Sequence, residues 1–246
     1  MLRFAAVMPQ TMHKPIILPD SAGAAAYDRE CRRCPRLARH LAAVRAEHPG
    51  YHCRPVPPFG DATARLVVVG LAPGKHGANA TGRPFTGDHA GILLYATLHR
   101  YGFASQPEGA AAGDGMRLRD CRITNAVKCL PPGNKPQPAE VHTCNAFLAA
   151  ELTRLPRHGA LLALGRVAHT AVLRALQLPA ARYPFTHGAR HDVGSGRMLI
   201  DSYHCSRYNT NTRRLTAEMF DQVVGAAAAH LAAADITDEP DADPSA

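Results

Sequence analysis

The chain has 246 residues, enough for one substantial hydrophobic core or at most two small domains. Its 28 lysines and arginines against 20 acids give a formal net charge of +8, which favours an anionic partner, nucleic acid first, over a generally basic surface. No apolar run approaches the roughly 18 to 20 residues of a membrane span, and Pro9 cuts the short apolar start, which argues against a secretory signal. We therefore expect a cytoplasmic protein, in which seven cysteines favour metal binding or chemistry over disulfides.

The first predicted elements are a helix and a buried strand. Residues 21–49 are predicted to be helical, because Leu37, Leu41 and Val44 are spaced to share one apolar face. A Pro- and Gly-rich connection follows. The run "RLVVVG" (65–70) is continuously apolar and short, which is typical of a strand buried on both faces.

Strands and helices alternate along the rest of the chain. Helices are predicted over 90–103, 139–155, 166–176 and 216–234, and strands over 117–127, 159–165 and 196–206. This alternation predicts a three-layer α/β/α sandwich with a central, mostly parallel, four-stranded sheet. Ligands of such sheets bind beyond the carboxyl ends of the strands, and the loops 70–88, 125–136 and 204–215 all follow strands at that edge.

The chain is predicted to hold one domain between two irregular ends. Residues 1–24 lack a convincing period and are predicted to be a loose leader. A single domain is expected over 25–233, with a disordered acidic tail over 234–246. No internal repeat is evident.

The glycine-rich segment "GLAPGKHGANATGRPFTGD" (70–88) directly follows the first strand. It is not a nucleotide-binding P-loop, because that motif needs four residues between its glycines and a Ser or Thr after the lysine. Here three residues separate Gly70 from Gly74, and His76 follows Lys75. The loop is therefore expected to hold something other than a triphosphate close to the backbone.

Four of the cysteines have spacing that suits a metal centre. Cys31 and Cys34 form a CxxC pair, whose sulfurs can reach one metal, whereas fourteen residues separate Cys129 from Cys144. Four thiolates suit either tetrahedral zinc or a cubane iron–sulfur cluster, and the loose second pair favours the cluster. Of the remaining cysteines, two are predicted to be small apolar core residues, namely Cys53 and Cys121.

Three ordered motifs carry a family resemblance. The segments "GLAPGKHGANATGRPFTGD", "ITNAVKCLPPGNKPQP" and "SYHCSRYNTNTRRLT", together with the cysteine spacing, resemble the iron–sulfur uracil-DNA glycosylases over roughly residues 28–225. "GRPFTGD" and "NTNTRRLTAEMF" look like the fifth family, since the fourth-family pattern carries a Glu where this chain has Ala72. The resemblance implies a structural 4Fe–4S cluster and a monofunctional DNA-repair hydrolase. That enzyme would remove uracil, and other deaminated bases such as hypoxanthine, from DNA.

The resemblance also implies roles for four residues. Phe85 would stack on the flipped base, with core packing as the alternative. Asn125 would bind the base edge through its amide, rather than simply forming a turn. His204 would donate a hydrogen bond to the departing base, and Asp88 would stabilise the sugar cation and activate water. Asp88 is also well placed to cap the following helix.

Further contacts are expected around these four residues. Ala72 and Gly70 would lie against the substrate, with His76 and Asn79 as possible helpers. DNA contacts are expected from two residues after His204 and from two nearby arginines: Ser206, Arg207, Arg213 and Arg214. Leu215 would act as a wedge that fills the vacated stack, or else begin the packing of the last helix.

One departure from the family pattern lies beside His204. The family has His-Pro-Ser there, and Cys205 replaces the proline, which is expected to loosen the loop and leave an oxidisable thiol near the site. No inserted basic loop of the kind that forms a covalent bond to DNA is present, so ordinary hydrolysis by a monomer is predicted. The competing functions are a non-catalytic nucleic-acid-binding module with a cluster or zinc, and a redox protein. The latter is disfavoured because nothing suggests a second cofactor.

Overall fold

The computed structural model describes residues 27–237. Its elements in chain order are α1 (Pro35–Glu47), β1 (Phe59–Gly60), β2 (Leu66–Gly70), α2 (Ala78–Thr81), α3 (His89–Arg100), β3 (Cys121–Asn125), α4 (Pro138–Leu152), β4 (Ala160–Leu164), α5 (Arg166–Ala175), β5 (Arg190–Asp192), β6 (Met198–Ser202), α6 (Arg207–Asn211) and α7 (Ala217–Thr237). The leader predicted over 1–24 lies outside the described residues. Helix α7 continues to Thr237, past the boundary predicted at 233, and the rest of the predicted tail is outside the described residues.

The sheet has the order β1–β3–β2–β4–β6–β5. The four predicted strands are confirmed as β2, β3, β4 and β6, and they pair in parallel. The predicted count of four is too low, because β1 and β5 add an antiparallel strand at each edge. These edge strands contain two and three residues, too few to show the alternation that identifies a strand in sequence.

The two faces of the sheet bury separate sets of side chains. Leu66 and Val68 point to the face covered by α3 and α7, and Val67 and Val69 point to the face covered by α4 and α5. Successive strand residues alternate between faces, so a strand covered on both sides must be apolar at every position. The predicted three layers follow from this double burial. None of the described helices is both long and apolar enough to cross a lipid bilayer.

Helix α1 is shorter than predicted because of a proline. The helix begins at Pro35, and the extended Cys34 is its N-cap residue. A proline favours the first helical position and disfavours helical geometry in the residue before it, so the described residues 27–34 do not continue the helix through this point. The CxxC pair therefore lies in the turn that leads into α1, while Leu37, Leu41 and Val44 form its buried face as predicted.

The strand order reverses between β2 and β4. After β2 the chain adds β3 on one side, and it then adds β4 and β6 on the other. At such a point the loops that leave neighbouring strands diverge and open a crevice at the carboxyl edge of the sheet. The ends of β2, β3, β4 and β6 all open onto that crevice.

Candidate active site

A cavity of about 530 Å³ occupies the crevice at the carboxyl edge of the sheet. The residues that follow the four parallel strands meet there, and they include Ala72, Asn125, Gly165 and His204. The convergence follows from topology, because parallel strands all end at the same edge. The cavity is large enough for a flat heterocycle together with part of a sugar.

Phe85 forms one wall of the cavity and is held there by close backbone packing. Its ring is buried, and its backbone has a left-handed φ of +56°, unusual for a residue that is not glycine. A Cβ on Gly70 would lie 2.6 Å from the Phe85 ring and 2.4 Å from Asn125 Oδ1. Gly70 therefore lets the Phe85 ring and the Asn125 amide pack against the end of β2. Any larger residue at position 70 would clash with both side chains.

Asn125 is the last residue of β3, opposite Gly70 of β2 in the sheet. Its side chain is buried, and its Oδ1 has no hydrogen-bond partner among the described residues. A buried amide oxygen without a partner is costly, and such groups normally find one. Because Asn125 lines the cavity, the partner is expected to be a ligand.

His204 follows β6 and stacks near Phe85, with ring centroids 6.0 Å apart and planes inclined by 25°. Burial lowers the pKa of His204 to about 4, so the imidazole is neutral at neutral pH. Its Nδ1 is buried and has no partner within residues 27–237. The loop that carries the ring is held by Asn209, whose amide donates to the His204 carbonyl oxygen over 2.8 Å.

Asp88 occupies the N-cap position of α3, but its side chain makes no capping bond. Its Oδ2 instead accepts a hydrogen bond from the Ala78 backbone N–H over 2.9 Å, and the Gly74 N–H also donates to the Asp88 carboxyl group. Burial raises the pKa of the Asp88 carboxyl, and these two backbone donors oppose that rise. A buried carboxyl with a raised pKa is a stronger proton acceptor.

Two glycines of the loop make room for this carboxyl group. A Cβ on Gly74 would lie 2.2 Å from Asp88 Oδ1, and one on Gly77 would lie 2.0 Å from the same atom. Real Cβ atoms do not approach oxygen so closely. The glycine-rich loop therefore packs on the Asp88 carboxyl, a contact that the sequence pattern does not indicate.

The rim of the cavity carries positive and aromatic side chains. Ser206 and Arg207, both predicted as DNA contacts, line it, and Ser206 also caps α6 by accepting from the Asn209 N–H. Arg166, at the start of α5, and Tyr208 join them. Tyr208 is 71 % exposed.

Four predicted substrate contacts do not line the cavity, and one of them is Gly70, which packs against the Phe85 ring and the Asn125 amide. His76 is exposed and bonds through Nδ1 to the Tyr51 hydroxyl over 2.9 Å. Asn79 is fully buried and donates to the Lys75 carbonyl oxygen, because its place in α2 turns its side chain away from the cavity. Leu215 is 1 % exposed within the core beside α7, so the packing alternative describes it and the wedge does not.

The two further arginines predicted as DNA contacts also lie outside the cavity lining. Arg213 is exposed, with a left-handed φ of +55°. The Arg214 guanidinium lies 4.6 Å from the centroid of the Tyr203 ring. Both follow α6, so they lie close in sequence to the rim residues.

Cys205 differs from its expected behaviour as a reactive thiol. The residue is fully buried in the core, and burial raises the pKa of its thiol to about 12. Since the thiolate is the species that reacts with oxidants, a buried neutral thiol is inert. The expectation of an oxidisable thiol is therefore wrong, because the side chain replacing the proline points into the core.

The four cysteines predicted to bind metal gather between α1, α4 and the exit of β3. Cys31, Cys34, Cys129 and Cys144 line one small cavity, and all are free thiols. Burial raises the pKa of Cys34, and the neighbouring Cys144 and Cys31 raise it further. The pKa of Cys129 is raised in the same way by burial and by the other three thiols, which places all four within electrostatic reach of one another.

The spacing of the sulfurs is wider than that of a compact mononuclear site. Within residues 27–237, no three of the four sulfurs lie within 4.8 Å of one another. The group at that spacing is His169, His191 and Asp201, where the imidazoles bond to the carboxylate over 2.7 and 3.1 Å. Cys53 and Cys121 are buried core residues, as predicted.

Sequence reasoning missed several residues of the rim. Arg166 and Tyr208 each begin or extend a helix directly after a predicted strand, at the edge already identified. The signal was available for Arg166, since "GALLALG" ends at Gly165 on the same edge as the other loops. For Tyr208 the sequence gives no indication that it rather than Leu215 is exposed.

Known proteins are similar to this chain over most of its length. A profile of the uracil DNA glycosylase superfamily matches residues 57–228. A type-5 uracil-DNA glycosylase of Thermus thermophilus is 47% identical over 201 residues, which cover 79% of this chain and 90% of the relative. One of Pyrobaculum aerophilum is 43% identical and covers 81% and 88%. A type-4 uracil-DNA glycosylase of Archaeoglobus fulgidus is 33% identical over 61% of this chain and 69% of the relative.

The part of the chain that matches the family includes the residues that form the cavity. The matched region contains the crevice at the sheet edge, the glycine-rich loop that holds Asp88, and the loops of Asn125 and His204. The type-5 relatives have higher identity and coverage than the type-4 relative. The chain belongs to the uracil-DNA glycosylase superfamily, within its type-5 family.

Proposed function

We propose that the protein hydrolyses the N-glycosidic bond of uracil in DNA and leaves an abasic site. The observation that carries this proposal concerns two buried polar atoms, Asn125 Oδ1 and His204 Nδ1, on side chains that line one cavity beside the Phe85 ring. Neither atom has a hydrogen-bond partner among residues 27–237. An extruded pyrimidine supplies what this arrangement lacks, namely a ring to stack and a polar edge to pair.

Base recognition depends on Phe85 and Asn125. The Phe85 ring offers a flat apolar face, and the amide of Asn125 offers an acceptor and a donor side by side. Uracil presents an N–H and a carbonyl oxygen along one edge, so both groups of the amide can be satisfied. Because Oδ1 has no hydrogen-bond partner in the described part of the chain, a bound base would supply one.

Bond cleavage depends on His204 and Asp88. As the bond between sugar and base lengthens, negative charge develops on the base and positive charge on the sugar. The neutral His204 imidazole donates an N–H to the base oxygen, and a donor of this kind is typically worth about 3 kcal/mol in the transition state. The Asp88 carboxylate stabilises the sugar cation and accepts a proton from the attacking water. Water adds to the sugar carbon, and the base leaves with the bonding electron pair.

The extrahelical position of the base is stabilised by the rim. We assign the wedge to Tyr208 in place of the buried Leu215, because a side chain that fills the vacated stack has to be exposed at the mouth of the cavity. Arg207 and Arg166 lie at the same rim and are suited to contacts with the phosphates that flank the lesion.

The four cysteines are proposed to hold a structural 4Fe–4S cluster, with zinc as the alternative. A tetrahedral zinc with bonds of about 2.3 Å would bring its four sulfurs to about 3.8 Å from one another. The wider spacing of these sulfurs favours the larger cubane. When bound, the cluster supplies cross-links between the turn before α1, the loop after β3 and α4. Asn125, four residues before Cys129, is thereby held in position.

The remaining expectations concern substrate range, assembly and location. We propose that the substrates include larger deaminated bases such as hypoxanthine, for which the cavity of about 530 Å³ has room. We propose that the protein acts as a monomer on chromosomal DNA in the cytoplasm, where its seven cysteines remain free thiols or metal ligands.

The decisive experiment uses labelled single- and double-stranded oligonucleotides that contain one uracil, followed by alkaline strand scission. The proposal expects scission at the uracil for the wild-type protein. Asp88→Ala should reduce single-turnover excision by at least about 10²-fold with little change in DNA binding. A folded wild-type protein that cleaves neither substrate would reject the enzyme, and equal losses of binding and cleavage would reject the role of Asp88. Iron and sulfide analysis of the same sample tests the cluster against zinc.

A further inference from the structure

A second basic surface lies beside the turn that carries Cys31. It is separate from the cavity at the carboxyl edge of the sheet, which is called the lesion cavity below. We call the second surface the arginine groove. It has a volume of about 310 Å³ and is formed by α1 and by the segments 29–32 and 53–55. Five guanidinium groups and one carboxylate line it: Arg29, Arg32, Arg39, Arg45, Arg54 and Glu30.

Three of these arginines have no structural task among the described residues. Arg54 pairs with Glu30, and Arg45 donates to backbone carbonyls, including that of His52 over 3.3 Å. Arg29, Arg32 and Arg39 are exposed and form no ion pair or hydrogen bond with another described residue. Like charges concentrated without partners repel one another, so the groove is suited to a ligand that carries several negative charges.

Helix α2 connects the groove to the cavity at the carboxyl edge of the sheet. The backbone N–H groups of His52 and Cys53 donate to the carbonyls of Ala80 and Asn79, over 3.0 and 3.1 Å, which binds the floor of the groove to α2. Ala78, at the start of α2, lines the cavity and donates to Asp88. One short helix therefore separates the two surfaces.

Aromatic rings extend along the same path. Tyr51, just after α1, stacks on His48 with centroids 4.5 Å apart. Its hydroxyl bonds to His76, which lies between the two glycines that pack on Asp88. Basic residues interleaved with rings are typical of surfaces that follow a nucleic-acid strand.

From these observations we infer that the arginine groove is a second DNA contact, which binds phosphates of the strand outside the lesion cavity. Guanidinium groups bind phosphodiesters through paired N–H donors, and the three that have no partner in the described part of the chain match a ligand with regularly spaced phosphates. The inference rests on the proposed function, because DNA is taken to be the substrate. The groove contributes affinity without base specificity, since its lining offers charge and no base pocket.

The test is the salt dependence of binding to an undamaged duplex, which needs no excision. Removal of one arginine that binds a phosphate makes the slope of log K against log[salt] shallower by about 1. The triple variant Arg29→Gln, Arg32→Gln, Arg39→Gln is therefore expected to have a slope shallower by about 3 than that of the wild type. Between about 20 and about 200 mM salt, the affinity of the wild type should fall by about 10³-fold more than that of this variant. Its excision rate at saturating enzyme should equal that of the wild type.

Matched variants separate local contact from net charge. Arg119, Arg154 and Arg157 are exposed and precede β3 and β4, at the opposite edge of the sheet. Changing these three to Gln removes the same charge and should leave the slope nearly unchanged. A lysine triple at the groove should retain the wild-type slope, because the charges remain.

Arg29 and Arg32 flank Cys31, so substitutions there could also affect the proposed cluster, and a variant farther from Cys31 is needed as a control. Arg39 lies within α1, five residues after Cys34, and Arg39→Gln alone should make the slope shallower by about 1 with full iron content. Equal slopes for the groove triple and the matched triple would overturn the inference, as would an unchanged slope for Arg39→Gln. Failure to excise uracil by the wild type would reject the proposed function and leave the slope comparison valid.

Discussion

Replacement of Gly77 by alanine tests the geometry of the site most directly, because it displaces Asp88 without removing it. Gly77 precedes α2, and its added Cβ would lie 2.0 Å from Asp88 Oδ1. Ordinary van der Waals contact begins at 3.4 Å, so the two groups must separate by roughly 1.4 Å to reach it. The carboxyl group is itself a buried hydrogen-bond acceptor, so its movement breaks the bond from the Ala78 N–H.

A displacement of this size in a catalytic group slows the reaction by a known order of magnitude. Misplacement of a catalytic group by about 1 Å reduces the rate by about 10²-fold, which is about 2.7 kcal/mol in the barrier. Gly77→Ala should therefore lower the single-turnover excision rate by about 10²-fold. Affinity for uracil-containing DNA should change little, because the contacts proposed at the rim of the cavity, Arg166, Arg207 and Tyr208, belong to other segments of the chain.

The assay is single-turnover excision at saturating enzyme, together with binding by anisotropy and melting by circular dichroism. Gly50→Ala is the matched control, since a Cβ there has nothing within 4 Å, and it should behave as the wild type. A folded Gly77→Ala variant with the wild-type excision rate would refute the assignment of the glycine-rich loop to Asp88.

Three further results are expected. Because burial raises the pKa of Asp88 and its carboxylate is the active form, the excision rate should rise with pH through that raised pKa and stay level at higher pH. His204, whose pKa is about 4, is neutral around neutral pH, so a fall in rate as the pH rises through neutrality would show that a charged imidazole is required. Leu215→Ala should reduce the free energy of unfolding by about 2 to 5 kcal/mol and leave the single-turnover rate normal. Tyr208→Ala should slow excision from duplex DNA and leave the melting temperature unchanged. The reverse pattern would assign the wedge to Leu215. Cys144→Ser should lower the iron content and the melting temperature together, and a fully loaded, equally stable variant would remove Cys144 from the ligand set.

The structure brings predicted site residues together where strands position them. Asn125 ends a strand and His204 follows one, so the common direction of parallel strands brings them to one edge whatever the loops do. Phe85 and Asp88 depend on the loop between β2 and α3. Their proximity to the cavity was implied by the family resemblance, and the residue pattern alone does not supply it.

The errors lie where no periodicity constrains a side chain. His76, Asn79 and Leu215 come from irregular segments or short helices, in which sequence spacing does not determine which way a side chain points. For the same reason, the sequence does not indicate why glycine stands at positions 74 and 77. Their absent Cβ atoms accommodate the Asp88 carboxyl, a neighbour that lies more than ten residues away in the chain.

The sequence by itself determined the four parallel strands, the three layers and the edge of the sheet that carries the site, because burial on both faces demands continuous apolar runs. Only the tertiary structure decided which polar groups face the cavity and which face the core. Cys205 and Leu215 are buried while Tyr208 is exposed, although all three lie within eleven residues of one another. That choice depends on contacts between residues distant in the chain, such as those of Leu215 with the core between α3 and α7.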